Sequence, residues 1–179
     1  MILPLMEAVV VIPRRKDGRG LIPFIKRGWC ENWHAGSGGK VKQGETLAQT
    51  CVRELKEELC IEVDPTSLEQ FAVIEDLCRL NLGGYAYRCK VFFFWAYRWE
   101  GVEQITDEAD PTEAWFEISA EGMPWDKLYP SYRTIFPPLI GSDRTQLTLT
   151  CIHEENDPHV ISEMLFLPAS SVLEPCLRN

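Results

Sequence analysis

Three features predict an α/β fold with a mixed sheet: short β-branched and aromatic runs, one long stretch of helical period, and turn residues that separate them. Ala8 to Ile12 is a β-branched run, followed by a Gly-containing turn at Arg14 to Gly20 and a second run at Leu21 to Ile25. Pro23 puts that second strand at an edge or gives it an irregular start. Gly28 to Gly44 is rich in glycine and reads as a loop whose backbone closely approaches something. From Glu45 to about Leu59 the period is helical. Leu47, Ala48, Cys51, Val52, Leu55 and Leu59 form an apolar stripe, and Glu54, Lys56, Glu57 and Glu58 project elsewhere. The helix is expected to stop near Cys60, because Ile61 to Val63 reads as extended and Asp64-Pro65 as a break.

Further strands are predicted at about Leu68 to Leu77 and Tyr85 to Trp99, with a turn at Asn81 to Gly84. Val91 to Tyr97 alternates too little for a half-wet strand and is expected to be central and covered on both faces. Trp115 to Ile118 is another strand. Tyr132 to Ile140 suggests a short helix interrupted by Pro137-Pro138, and Gln146 to His153 with Val160 to Leu167 a final hairpin. Neither an internal repeat nor a low-complexity tract is present.

The chain has 179 residues, room for one compact domain with a core but little for two catalytic ones. A formal charge of -9 disfavours a polyanionic partner such as DNA or RNA. Basic groups such as Arg14-Arg15-Lys16 are short and form no long arm. A small phosphorylated ligand held partly through metal suits this balance better. Seven cysteines, with no CxxC pair and no closely spaced His/Cys set, imply neither a complete disulfide scaffold nor a zinc knuckle, so a reducing interior is the default. Met1 to Met6 is apolar but lacks a basic flank and is cut short by Glu7, and no apolar stretch approaches the roughly 20 residues that cross a bilayer. The expectation is a cytoplasmic protein, monomeric or homodimeric, with no membrane partner.

The chemistry-bearing constellation begins at Gly39. Five residues later stands Glu45, and after seven more come Arg53-Glu54-Leu55, then Glu57-Glu58, Cys60 and Ile61. Glu54 lies three and four residues before Glu57 and Glu58, so all three can reach a common side of a helix. Crowded carboxylates repel one another and destabilise a bare helix, whereas a hard oxygen-seeking cation turns that repulsion into attraction. The competing reading is an acidic face that merely keeps the helix solvated.

This run resembles the Nudix box, GX5EX7REUXEEXGU with U aliphatic, and matches it everywhere except at Cys60, where the pattern has Gly. The resemblance implies a Nudix α/β/α sandwich. It also implies one Nudix domain over residues 1–179, with 143–179 as a C-terminal extension packed on it. The implied activity is a metal-dependent pyrophosphohydrolase that cleaves a phosphoanhydride of a nucleoside triphosphate or nucleoside-diphosphate derivative. Nucleotide sugars, ADP-ribose and dinucleoside polyphosphates are alternative substrates, and a catalytically silent nucleotide sensor is the alternative from another class. The implied cofactor is Mg²⁺, with Mn²⁺ as a substitute.

By the same resemblance Glu54, Glu57 and Glu58 are metal ligands, one of them doubling as base, and Arg53 orients them with Glu45 as its partner. Arg53 as a plain surface charge, and Glu45 as an anion in the first helical turn, are the competing readings. Gly38 and Gly39 lend backbone groups to metal or phosphate, and Lys40 either contacts phosphate or is solvated. Gly-Gly-Lys is not a phosphate loop of the Walker type: its first Gly would fall at His34, and Val41 replaces the final Ser or Thr. Cys60 carries a Cβ where a left-handed exit costs roughly 1 to 2 kcal/mol, which alters the helix end without removing a ligand. Asp110, with Glu113 as competitor, looks like the late acid that MutT-like members present to the site.

A weaker resemblance extends to the oxidised-purine nucleoside triphosphatase branch, through Trp33 to Val41, Trp115-Phe116, Tyr129-Pro130 and Phe136-Pro137. Where that branch uses two adjacent aspartates for purine recognition, Ser131 and Tyr132 stand here, and its pre-helix Asn is missing, with Ala35 the nearest match. Those changes remove the groups expected to read an oxidised purine edge. Trp33, Tyr129 and Tyr132 remain candidates for stacking on a base, against packing roles, and His34 for ligand contact, against a loop cap.

Overall fold

A computed structural model describes residues 5–21, 24–25, 36–79, 85–102, 104, 109–110, 115–128, 130–140, 147–154 and 157–167. The β-branched N-terminal run forms β1 (Leu5–Pro13), and strands β2 (Arg19–Leu21) and β3 (Phe24–Ile25) follow. Ser37–Lys40, expected within a loop, is strand β4, paired antiparallel with β1 from Ala8↔Lys40 to Val11↔Ser37. Its glycines hide the strand signal, yet they are what the pairing needs: a Cβ at Gly38 would collide with the Val9 carbonyl oxygen.

Helix α1 (Leu47–Leu59) starts two residues later than expected. Thr46 is its N-cap in a capping box: the Thr46 hydroxyl accepts from the Gln49 N–H, and the Gln49 side chain accepts from the Thr46 N–H. Two orphan donors of the first turn are thereby satisfied. The helix ends on Cys60 at φ 57°, ψ 24°, in the left-handed region, where its N–H donates to the Leu55 carbonyl. Burial of Ile61 directly after this turn, at about 1.5–3 kcal/mol for a fully buried aliphatic side chain, offsets the backbone cost.

Then come β5 (Glu62–Val63), a 3₁₀ turn at Pro65–Ser67, and the long strands β6 (Leu68–Arg79) and β7 (Tyr85–Ala96). The short strands β8 (Trp99–Glu100), β9 (Ala109–Asp110) and β10 (Trp115–Glu117) pair with β5, β3 and β2 respectively. Helix α2 (Pro130–Ile140) runs through Pro137 and Pro138 instead of being interrupted there. The prolines lie in its last turns and remove N–H groups, but Ile135 and Phe136 are buried in the core, and that packing overrides the local preference. The expected final hairpin is β11 (Leu147–Glu154) with β12 (Asp157–Leu167), antiparallel.

The main sheet is mixed, in the order β12-β11-β6-β7-β1-β4. β1 runs parallel to β7, and β11 parallel to β6. Alternation along β1 and β7 feeds two apolar clusters. Val9, Val11, Phe94 and Ala96 meet Cys51, Leu55 and Leu59 of α1, whereas Ile12, Phe93 and Trp95 meet Ile135 and Phe136 of α2. The central strand is thus covered on both faces, as its sequence predicts, and the architecture is an α/β/α sandwich. Among the described residues no helix is long and apolar enough to cross a membrane.

Candidate active site at the edge of the sheet

β4 is the outer strand on one side of the sheet, and α1 lies across its inner neighbour. Pairing with Val11 and Val9 puts Ser37 and Gly39 on the face that α1 covers. Two residues along a strand advance about 6.6 Å. Four residues along a helix advance about 6 Å, so Glu54 and Glu58 match that step. Glu58 Oε2 accepts from Ser37 Oγ at 2.5 Å and from the Gly38 N–H at 3.0 Å. Glu54 lies against Gly39 so closely that an added Cβ would stand 2.6 Å from the Glu54 carboxyl carbon. Both carboxylates are buried, at 8% and 7% exposure, which is costly unless each is compensated.

Arg53 supplies much of that compensation. Its Nε and Nη2 donate to the two oxygens of Glu45 at 2.8 and 3.1 Å, a bidentate pair. Nη1 donates to Glu54 Oε1 at 2.5 Å and to Glu57 Oε2 at 3.0 Å, and Nη2 also donates to the Lys40 carbonyl at 3.2 Å. All five guanidinium donors are used. The Glu45 carboxylate also accepts from Thr50 Oγ1 and the Lys42 N–H. Hydrogen bonding from Arg53, above all, holds its pKa down at about 2, and the same carboxylate first among its partners raises that of Arg53. Glu45 precedes the N-cap, so it is the partner of Arg53 and not an anion of the first helical turn.

The three helix glutamates are not equivalent. Glu54 and Glu58 face β4, while Glu57 is about half exposed, held by Arg53 and with Lys42 Nζ 3.8 Å from its Oε1. In this arrangement no three Asp, Glu, His or Cys side chains among the described residues stand as a ready cation cage. The donors nevertheless suit a hard cation. They are carboxylate oxygens, and Glu54 Oε2 has no hydrogen-bond donor among the described residues although its carboxyl group is buried.

The other predicted site residues are placed as follows. Lys40 is exposed, beside the cluster. Asp110 pairs through its backbone with Phe24 in the β3–β9 ladder, and its side chain lies outside the described residues. Trp33, His34, Glu113 and Tyr129 also lie outside them. Tyr132 meets Phe136 edge-on, with ring centroids 5.3 Å apart, and packs against the α2-side core. Sequence reading missed Ser37, Lys42 and Thr50. Once β4 is recognised as a strand, its period of two puts Ser37 on the face of Gly39, which is the signal that would have found it.

A NUDIX domain is matched over residues 4–137. The chain belongs to the Nudix family. This Nudix-type hydrolase, whose family acts on phosphoanhydride bonds and generally uses a divalent metal, is 31% identical over 140 residues to the oxidized purine nucleoside triphosphate hydrolase of Danio rerio. That alignment covers 78% of this chain and 81% of the relative. Among solved structures, the MutT protein of Bacillus halodurans superposes with a TM-score of 0.67 at 20% identity, covering 90% of this chain and 97% of that one. The MutT NUDIX hydrolase of Burkholderia pseudomallei gives 0.58 at 19% identity, over 75% and 97%. These two likenesses bear on the fold.

Proposed function

We propose that this enzyme hydrolyses a phosphoanhydride of a nucleoside triphosphate or a nucleoside-diphosphate derivative, with Mg²⁺ or Mn²⁺ held at α1. The observation that carries the reading is the convergence of Glu54 and Glu58 on Ser37–Gly39, tied by Arg53 to Glu45 and Glu57. Glu45, Glu54, Glu57 and Glu58 gather four carboxylates around the Arg53 guanidinium, an acidic cluster whose mutual repulsion a divalent cation would relieve.

In this reading Glu54, Glu57, Glu58, a backbone group of Gly39 and the late acid Asp110 hold the cation. Bound there, it would neutralise pyrophosphate oxygens and lower the pKa of an attacking water. Arg53 keeps Glu54 and Glu57 oriented, and Glu45 keeps Arg53 in place. Water adds to phosphorus and gives up a proton to a carboxylate of the cluster, the bridging P–O bond breaks, and the leaving phosphoryl group takes the electron pair on its oxygen. A triphosphate gives a monophosphate and pyrophosphate, and a diphosphate derivative gives two monophosphoryl products. Lys40, Asp110, Trp33, His34, Tyr129 and Tyr132 are the candidates for contacts to the rest of the substrate.

The name of the Danio rerio relative favours triphosphates as the first class to assay. Ser131 and Tyr132, standing where the resemblance puts two aspartates, argue against carrying over oxidised-purine selection. The reading takes residues 1–179 as one domain with 143–179 as an extension, supported by the pairing of β11 with β6 from Leu147↔Ala72 to Glu154↔Arg79. It also takes the protein as cytoplasmic.

The test is a substrate panel in ¹⁸O-labelled water, covering triphosphates, nucleotide sugars, ADP-ribose and dinucleoside polyphosphates, with products followed by ³¹P NMR. Label on a phosphate product with Mg²⁺ or Mn²⁺, absent with chelator, is expected. Nucleotide binding without product from any substrate and metal would instead favour a silent sensor.

A further inference from the structure

Ser37 is a wholly buried hydroxyl outside the Gly39–Ile61 pattern. Burying a hydroxyl is unfavourable unless it is hydrogen-bonded, and this one has two acceptors within reach: Glu58 Oε2 at 2.5 Å and the Glu54 carbonyl oxygen at 3.1 Å. A serine has one proton to give, and the carboxylate oxygen is the stronger of the two acceptors, the Glu54 carbonyl lying within the helix's own ladder. The Gly38 N–H meets the same oxygen at 3.0 Å. One oxygen of Glu58 is thus pinned to β4 by a side-chain donor and a backbone donor.

Their placement is rigid. Ser37 pairs with Val11 in the β1–β4 ladder, next to Gly36 at φ 76°. A Cβ at Gly36 would stand 2.6 Å from the Val11 carbonyl oxygen, so the chain enters β4 along a path open to glycine. Glu58 is fixed from its own side, one helical turn after Glu54 and next to the fully buried Leu59. Two anchored elements therefore meet at one carboxylate oxygen.

We propose that Ser37 is a positioning residue for the metal site: its hydroxyl holds Glu58 Oε2 on β4, fixing the orientation in which this carboxylate meets a divalent cation. This rests on the proposed reading of Glu58 as a ligand. Partners of a metal-binding carboxylate usually matter by about 10- to 100-fold in metal affinity or activity. Ser37→Ala removes the side-chain donor while leaving the Gly38 N–H in place.

The experiment is Mn²⁺ titration of the full chain, followed by the electron paramagnetic resonance of free Mn²⁺, without nucleotide. It compares wild type, Ser37→Ala, Glu58→Gln and the double variant, with circular dichroism melts of each. Ser37→Ala is expected to weaken Mn²⁺ binding by about 10- to 100-fold. In the Glu58→Gln background, where Glu54 and Glu57 still give weak uptake, the same change is expected to add less than twofold. An equal penalty in both backgrounds would mean that loss of the hydroxyl disturbs β4 generally, and would overturn the proposal. So would wild-type affinity in Ser37→Ala while Glu58→Gln binds weakly. Wild-type affinity in Glu58→Gln would instead overturn the ligand reading on which the proposal depends. If Ser37→Ala fails to fold, Ser37→Cys, similar in size but a weak donor, takes its place with the same expectations.

Discussion

The two faces of the central sheet use the same strands for different ends. On the α2 side, Phe93 meets Phe71 and Phe136 edge-on, and Phe71 stacks on Trp95 at 3.9 Å between centroids. On the α1 side, the aliphatic packing of Val9, Val11, Leu55 and Leu59 gives way toward β4 to two buried carboxylates. Aromatic packing supplies stability on one face. On the other, the glycines of β4 let a helix bring charge against a backbone. The chemistry is therefore concentrated where packing is interrupted, and substitutions on the two faces should separate stability from turnover.

The largest separation is expected from Phe93→Ala, which should cost about 3–5 kcal/mol of folding stability in a denaturant titration. The Mn²⁺ affinity of the molecules still folded should be unchanged. Next, Glu54→Gln and Glu58→Gln should each lower metal-dependent kcat by about 10²- to 10³-fold, with far smaller changes in Tm. Equal effects on Tm and kcat from both sets would erase the distinction between the faces. Gly39→Ala should show the geometric element directly. Its Cβ would displace the Glu54 carboxyl group, for roughly 1–3 kcal/mol of overpacking, and activity should fall more than stability.

Smaller effects are expected at the ends of the network. Cys60→Gly should raise stability by about 0.5–1 kcal/mol: relief of the left-handed strain exceeds the entropy lost by the more flexible residue. Kinetics should be unaltered. Glu45 is held at about 2, against an ordinary value of 4.5, so its contribution to stability is fully present above pH 4.5 and is lost as pH falls toward 2. Glu45→Gln should flatten the stability curve in that window, measured by thermal melts from pH 2 to 6.

The fold was legible wherever one period dominated. The apolar stripe of α1, the unbroken aromatic run of β7 and the final hairpin all announce themselves locally. β4 did not, because two of its four residues are glycine and carry no pattern, although their lack of Cβ is the reason the strand pairs there. α2 through Pro137-Pro138 was hidden for the opposite reason: local preference was clear, and burial of Ile135 and Phe136 overrode it. The three helix acids could be named from spacing and Arg53 from the family resemblance, but spacing makes Glu54, Glu57 and Glu58 look alike. Only their neighbours distinguish the pair facing β4 from Glu57, held by Arg53. Glu45 turned on two residues of helix start, since a capping box at Thr46 frees it to reach Arg53.

The most direct measurement is the anomalous diffraction of Mn²⁺ in crystals grown with a non-hydrolysable nucleotide. A peak coordinated by Glu54, Glu57 and Glu58, with Arg53 still bound to Glu45, is the predicted result. No Mn²⁺ at α1, with the nucleotide bound and all three glutamates still engaged as they are here, would contradict the account.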